Sequence, residues 1–406
     1  MTSKKRQLIF FWTYREWGGA QIYLIAIMKV AKPDWDITVV LPNGSSPEIL
    51  GFLERVGVKI EFIDVPVRSL AVTVSQKLKV HLDHIRTHIA SYRHLKKYDL
   101  SDCILHIEAA PWQSMLFLAA LSLRRANVFI TLHNAMPDHP KWRVFLWKTR
   151  MRIESRLRGF HIFASNKDTK NKIKGWVTDA FWEKVAVTYT CVDPDEIDAA
   201  FGLSFDRDAV RTTLNIDPNA FVVLCVGQFI DRKGRWIFLD AAKLVVEKDP
   251  SVQFVWMTPS LPSDEDRQRV EKYELGDNFR LVLSSSIGST RQEILSFFQI
   301  GDLFVLPSFV EGLPIALLEA MAMKLPSIST NINAIPEAIF DGETGILIEA
   351  GDSKAIAQRI LDLKEDPENC SRLAAAGHAF VIYNFDEREA SRIAIAAYKE
   401  CFADAR

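Results

Sequence analysis

The stretch "DLFVLPSFVEGLPIALLEAMA", residues 302–322, changes periodicity halfway along. Leu303 to Leu306 is a short aliphatic and aromatic run ended by Pro307 and Ser308, the pattern of a strand buried on both faces. Pro314 suits the first position of a helix, because the N–H it lacks would have been unpaired there anyway. Ile315 to Met323 are mostly strong helix formers and apolar all round, so the helix is expected to be buried. A strand, a loop and a buried helix in succession form the unit from which parallel sheets are assembled. Glu319 is the anomaly. A charge buried without a partner costs at least several kcal/mol, so this carboxylate needs an internal ion pair, a helix end reaching solvent, or a ligand hydroxyl.

The same alternation runs outward in both directions. "LIFFWTY", "DITVVLP", "VKIEFI", "CILHI" and "NVFITLH" are strand-like runs in the first half, each followed by helix-like sequence. "FVVLCVGQF", "SVQFVWMT", "FRLVL", "DLFVLPS", "PSISTN" and "TGILIE" repeat the rhythm in the second. The expected fold class is α/β with two doubly wound parallel sheets, each covered by helices on both faces. The polar, turn-rich "TYTCVDPDEIDAAFGLSFDRD" puts the boundary near residue 195, giving a domain at 1–195 and another at 196–385. Residues 386–406 are expected to form a helix packing back toward the first domain. In such sheets ligands bind beyond the carboxyl ends of the strands, so the loops there are where chemistry is sought.

Composition supports this size and class. A chain of 406 residues exceeds one ordinary core and suits two domains. With 48% hydrophobic and 25% charged residues it reads as a soluble globular protein, and no apolar run approaches the 18 or so residues of a membrane span. "KKRQLIFFWTY" near the start has too brief an apolar part for a signal peptide and is read as a first strand. Cys103, Cys191, Cys225, Cys370 and Cys401 are scattered without C-x-x-C spacing, which argues against a disulfide framework or zinc site and for a reducing cytosol. The net charge of −1 conceals an asymmetry: residues 1–195 carry 29 Lys and Arg against 18 Asp and Glu, and residues 196–406 carry 21 against 33. A basic half points to an anionic partner.

Three loops stand out. Gly18 and Gly19 follow the first strand and precede a helix, where backbone N–H groups can approach an anion, although the G-x-G-x-x-G fingerprint is missing. "VLCVGQFIDRKGRW" carries Arg232 and Lys233 from a strand end into a helix, a fitting diphosphate clamp but not a Walker loop. In the opening stretch, Glu311 and Gly312 precede Pro314, so N–H groups suited to phosphate lie beside a carboxylate suited to hydroxyls. Together these match the two chemistries of a nucleotide-activated sugar.

The "VGQFIDRKG" loop, the "PSFVEGLPIALLEAMA" segment and "INAIPEAIFDGETGILIEAGD" resemble retaining glycosyltransferase family 4, glycosyl transferases group 1, over about residues 220–355. Fainter echoes are the Gly18-Gly19 loop, "TLHNAMP" and "VAVTYTCVDPDEI". The resemblance implies the GT-B architecture, two Rossmann-like domains facing each other across a cleft. It implies that Glu311 hydrogen-bonds the donor sugar, that the N–H groups of Gly312 and Leu313 line its phosphate, and that Glu319 grips the ribose. Lys233 would neutralise the leaving diphosphate, and His133 would sit near the reacting carbon; catalytic weight falls on His133, Glu311 and Lys233. No metal or other cofactor is implied, the lysine and the helix end supplying the positive charge. Gln228 stands where the family often has arginine, so either Arg232 compensates or diphosphate is held less tightly.

"HPKWRVFLWKTRMRIESRLRGF", residues 139–160, has seven Lys and Arg against one Glu, interleaved with Trp142, Phe145 and Trp147. That suits a helix on an anionic membrane, or a surface helix whose aromatics pack on their own sheet. No nucleic-acid reading motif accompanies the charge. The expected activity is retaining, metal-independent transfer from a UDP- or GDP-linked sugar to a lipid-linked, polysaccharide or other glycan acceptor, in the cytoplasm or at the inner membrane face. A nucleotide-sugar epimerase and a non-catalytic nucleotide-sugar binding protein are the alternatives.

Overall fold

The computed structural model describes residues 5–15, 18–67, 73–134, 139–288 and 290–402. Of the segments quoted above, Lys4 of "KKRQLIFFWTY" and Ala135 to Pro137 of "TLHNAMP" lie outside them, as do residues 403–406 of the expected last helix. The chain divides into two compact units, Met1–Tyr189 with Arg388–Arg406, and Thr190–Glu387.

In the first unit the order is β1 (Arg6–Phe11), α1 (Gly19–Ala31), β2 (Trp35–Pro42), α2 (Pro47–Val56), β3 (Lys59–Ile63), α3 (Val74–Leu95), β4 (Cys103–Ile107), α4 (Pro111–Leu123), β5 (Asn127–Leu132), α5 (Lys141–Glu154), β6 (Phe160–Ala164), α6 (Lys167–Lys172), α7 (Asp179–Glu183) and β7 (Ala186–Val187). All pairings are parallel, in the order β3-β2-β1-β4-β5-β6-β7. Alternation along β1 sends Ile9 and Phe11 to a core shared with α3, α4 and α5, and Leu8 and Phe10 to one shared with α1 and α2. The sequence reading missed β6 and β7 and ran the basic helix through to Phe160; α5 stops at Glu154. Gly159, at φ +70° and with Ala126 O 2.3 Å from where a Cβ would lie, makes the tight turn into β6.

The second unit runs α8 (Pro194–Gly202), α9 (Arg207–Thr213), β8 (Phe221–Val226), α10 (Arg235–Lys248), β9 (Val252–Thr258), α11 (Asp264–Glu271), β10 (Phe279–Leu283), α12 (Arg291–Ser296), β11 (Leu303–Leu306), α13 (Ile315–Ala322), β12 (Ser327–Thr330), β13 (Ile346–Ile348), α14 (Ser353–Glu365) and α15 (Pro367–Asn384). Its parallel sheet is ordered β10-β9-β8-β11-β12-β13. The last helix, α16 (Glu387–Glu400), completes the first unit: Ala394, Ile395 and Tyr398 are buried against Leu8 and Phe10. In each sheet the strand order reverses once, between β1 and β4 and between β8 and β11. Loops leaving those two strand pairs diverge to opposite faces and open a crevice.

Candidate active site

At the β8/β11 crevice two loops converge. After β8 the chain turns through Gly227 and Gln228 into Asp231–Lys233, and Gly234 starts α10. Gly234 sits at φ +74°, and Pro307 O lies 1.9 Å from where its Cβ would be, so only glycine lets this loop press against the end of β11. The two loops are stitched together: Phe309 N–H donates to Arg232 O (2.9 Å), and the Arg232 guanidinium to Val310 O (3.0 Å).

Glu311 is the focus of this arrangement. Its carboxylate is buried and receives Lys233 Nζ at 2.6 Å, the Ser308 hydroxyl at 2.7 Å and, more loosely, Arg232 at 3.5 Å. Its backbone N–H donates to Asn333 Oδ1 at 3.2 Å, and Asn333 holds the left-handed φ of +47° that asparagine tolerates. Two cations on one carboxylate leave a net positive charge beside Gly312 and Leu313, directly before the N-terminal end of α13, a place suited to an anion. Gln228 opens the same loop but is exposed, its carbonyl accepting from Ile230 N–H.

Glu319 lies in the buried α13 and is itself buried, as the sequence demands. Of the partners considered for it, the internal ion pair is present: Arg291, at the start of α12, donates to Glu319 Oε1 and also reaches Glu196 Oε2 at 3.4 Å. Burial works against the Arg291 charge, but the two carboxylates outweigh it and hold the guanidinium above its usual pKa. Burial pushes Glu319 up from the usual carboxylate value, and Arg291 opposes that.

The first domain assembles its own group at the ends of β1, β4 and β5. His133 follows β5 and presents Nε2 to Glu108 Oε1 at 3.2 Å, with its ring edge-on to Tyr23 of α1 at 5.2 Å. Glu108 follows β4 and is buried, with its N–H donating to Phe11 O at 2.9 Å. Gly18 is extended (φ −172°), so its conformation does not require glycine; α1 starts behind it without a side-chain cap, which leaves the first-turn N–H groups to other partners. Three predicted residues of the second domain, Arg232, Lys233 and Glu311, thus meet directly, and Glu319 is engaged separately.

Arg291, Ser308, Asn333 and Glu108 escaped the sequence reading. Arg291 carried a signal: Thr290 and Glu293 form a capping box, so Arg291 occupies a helix's first position, where a cation opposes the dipole and wants a carboxylate. Among the described residues no three His, Cys, Asp or Glu side chains are grouped to hold a metal ion, and no helix is long and apolar enough to cross a membrane.

Comparison with known proteins adds the family. Residues 206–380 match the profile of glycosyl transferases group 1. The chain is 29% identical to a D-inositol 3-phosphate glycosyltransferase of Paenarthrobacter aurescens over 229 residues, 53% of this chain and 54% of the relative. It is 26% identical to the Escherichia coli UDP-Gal:alpha-D-GlcNAc-diphosphoundecaprenol alpha-1,3-galactosyltransferase over 354 residues, 84% and 86% of the two chains. The chain spans about half the length of several of the curated relatives it matches. The fold is shared with Anabaena HepE, solved in complex with UDP, at TM-score 0.72 and 17% identity over 97% of this chain and all of that one. With its strand-end carboxylate and cations inside the matched segment, the second domain belongs to the glycosyl transferases group 1 family, and the two Rossmann-like sheets are those of the GT-B fold.

Proposed function

We propose that the chain is a retaining, metal-independent glycosyltransferase that moves a sugar from a nucleotide sugar to a glycan or lipid-linked acceptor. The observation carrying this reading is the convergence of Lys233 and Arg232 on Glu311 before the N-terminal end of α13. Lys233, Arg232 and the N–H groups of Gly312 and Leu313 hold the diphosphate, and Glu311 accepts from the donor sugar's hydroxyls. Glu319 takes the ribose with the oxygen Arg291 leaves. His133, held by Glu108, is assigned to the transferred sugar. In the reaction the bond from the sugar's anomeric carbon to the diphosphate breaks, the acceptor oxygen bonds to that carbon on the same face, and the departing phosphate takes the acceptor proton. Positive charge fixed in advance at the diphosphate favours that departure.

Calorimetry with UDP, GDP and ADP, then product NMR over a nucleotide-sugar panel with and without acceptor and with chelator, tests the reading. Transfer with an unchanged anomeric configuration supports it. Conversion without acceptor would mean an epimerase, tight nucleotide binding without turnover a binding protein, and loss on chelation a metal-dependent enzyme.

An anionic membrane is the further partner proposed for the first domain. Trp142 and Phe145 on α5 are 65% and 73% exposed, amid Lys141, Arg143 and Lys148, whereas Trp147 packs inward on Trp112. Replacing Trp142 and Phe145 with serine is expected to abolish flotation with anionic liposomes at low salt. No flotation of the unaltered protein would sink the membrane proposal alone.

A further inference from the structure

The β1/β4 crevice of the first domain opens into a cavity of about 370 Å³, floored by the ends of β1, β3 and β4 and walled by α3 and α4. That volume falls in the range of small-molecule sites. One wall is a stack: His88 lies parallel on Phe117 with centroids 5.0 Å apart, and His84 meets His88 edge-on at 4.2 Å. Both imidazoles are oriented from α4, His88 Nε2 lying 3.3 Å from Ser114 Oγ and His84 Nε2 3.2 Å from Gln113 O. Burial, and then the proximity of His84, lowers His88 to about 4, so it is uncharged at neutral pH.

The remaining polar lining consists of hydroxyls such as Thr13 and Ser91, the Gln113 amide, and the carboxylates of Asp83 and Glu108. Among the described residues no lysine or arginine lines the cavity; Arg86, which pairs with Asp83 Oδ1 at 3.1 Å, is exposed and stands outside the wall. Among the described lining residues a phosphate here would face the Glu108 carboxylate and the Asp83–Arg86 pair, with no lysine or arginine of the wall to receive it. A sugar ring brings what the lining accepts: hydroxyl donors for carboxylate and imidazole, and an apolar face for the aromatic wall. Glu108 joins the two parts of the domain, since it lines the cavity and also holds His133.

We infer that this cavity binds an uncharged sugar unit of the acceptor and discriminates against a phosphorylated one. The inference rests on the transferase reading and sharpens it, because a named relative acts on an inositol phosphate. Any phosphate in the acceptor then lies outside the cavity.

The test is methyl NMR of the full chain, following Ile107, Val65 and Val80, all of which line the cavity. The probes are methyl glycosides of glucose, galactose and N-acetylglucosamine, set against glucose 6-phosphate and D-inositol 3-phosphate. At least one neutral glycoside should shift these methyls and bind about tenfold or more tightly than either phosphate. Asp83→Lys should narrow or reverse that preference, and Ser114→Trp, which fills the space, should abolish the shifts. Equal or stronger binding of a phosphate, or no shift with any neutral glycoside at high concentration, overturns the inference. UDP titration of the same sample separates the two readings: a nucleotide response from the second domain with a silent cavity refutes the cavity assignment alone.

Discussion

Glu319 shows how far a single residue can be read. Sequence alone demanded a partner for it, because its helix is apolar all round. It could not name Arg291, which lies 28 residues upstream on another element. Removing one member of a buried pair leaves the other charge unpaired, so Glu319→Gln should cost about 3 kcal/mol of stability in denaturant unfolding. If Glu319 also grips a ribose, nucleotide affinity of the folded variant falls by about 1 to 3 kcal/mol; unchanged UDP affinity by calorimetry would assign it to bracing alone. Glu154 is a second buried acid, with no hydrogen-bond partner for either oxygen, and burial raises it from 4.5 to about 8. A carboxyl whose folded pKa is raised holds its proton in the native state. Its burial is fully tolerated below the unfolded value near 4.5, and stability is lost as pH climbs toward 8. Glu154→Gln should therefore match the parent near pH 4.5 and exceed it by a few kcal/mol above pH 8 in denaturant melts. Parallel pH profiles would show that Glu154 does not titrate this way.

At the scale of elements, the loop between β8 and α10 is the part on which the site depends. The sequence marked its charges, Arg232 and Lys233, but its closeness to β11 follows from Gly234, whose missing side chain admits the Pro307 carbonyl. Gly234→Ala meets both a left-handed backbone and that carbonyl, so it should lower stability by at least about 2 kcal/mol and weaken UDP binding, measured by melting and calorimetry. Normal UDP affinity in the folded variant would detach the loop from the nucleotide. Strands with long β-branched runs were legible because burial on both faces writes a continuous apolar pattern. β6 was hidden because "FHIFA" directly follows a basic helix, and the glycine turn that separates them has little compositional weight.

On the scale of the whole molecule, α16 ties the chain's end to its beginning. Tyr398 is fully buried, its hydroxyl 2.6 Å from His106 Nδ1 in the first sheet, and Phe402 lies under Arg6 with the guanidinium 4.0 Å from the ring centroid. Deleting residues 388–406 uncovers Leu8, Phe10 and Phe129 and removes that hydroxyl from a buried imidazole. Hydrogen exchange of the truncated chain should show lost protection across the first sheet with the second sheet still protected. Full protection in both would mean that α16 is dispensable.

Two doubly wound sheets, a cationic loop at one strand end and a carboxylate at another were written in the sequence, because alternating buried strands and helices impose a repeating apolar pattern and turns impose their residue types. Which side chains meet was decided by the tertiary structure. The Arg291–Glu319 pair, the Glu108–His133 contact and the cavity beneath α3 each join residues brought together by parallel crossovers, and spatial neighbours far apart along the chain leave no local trace in its order.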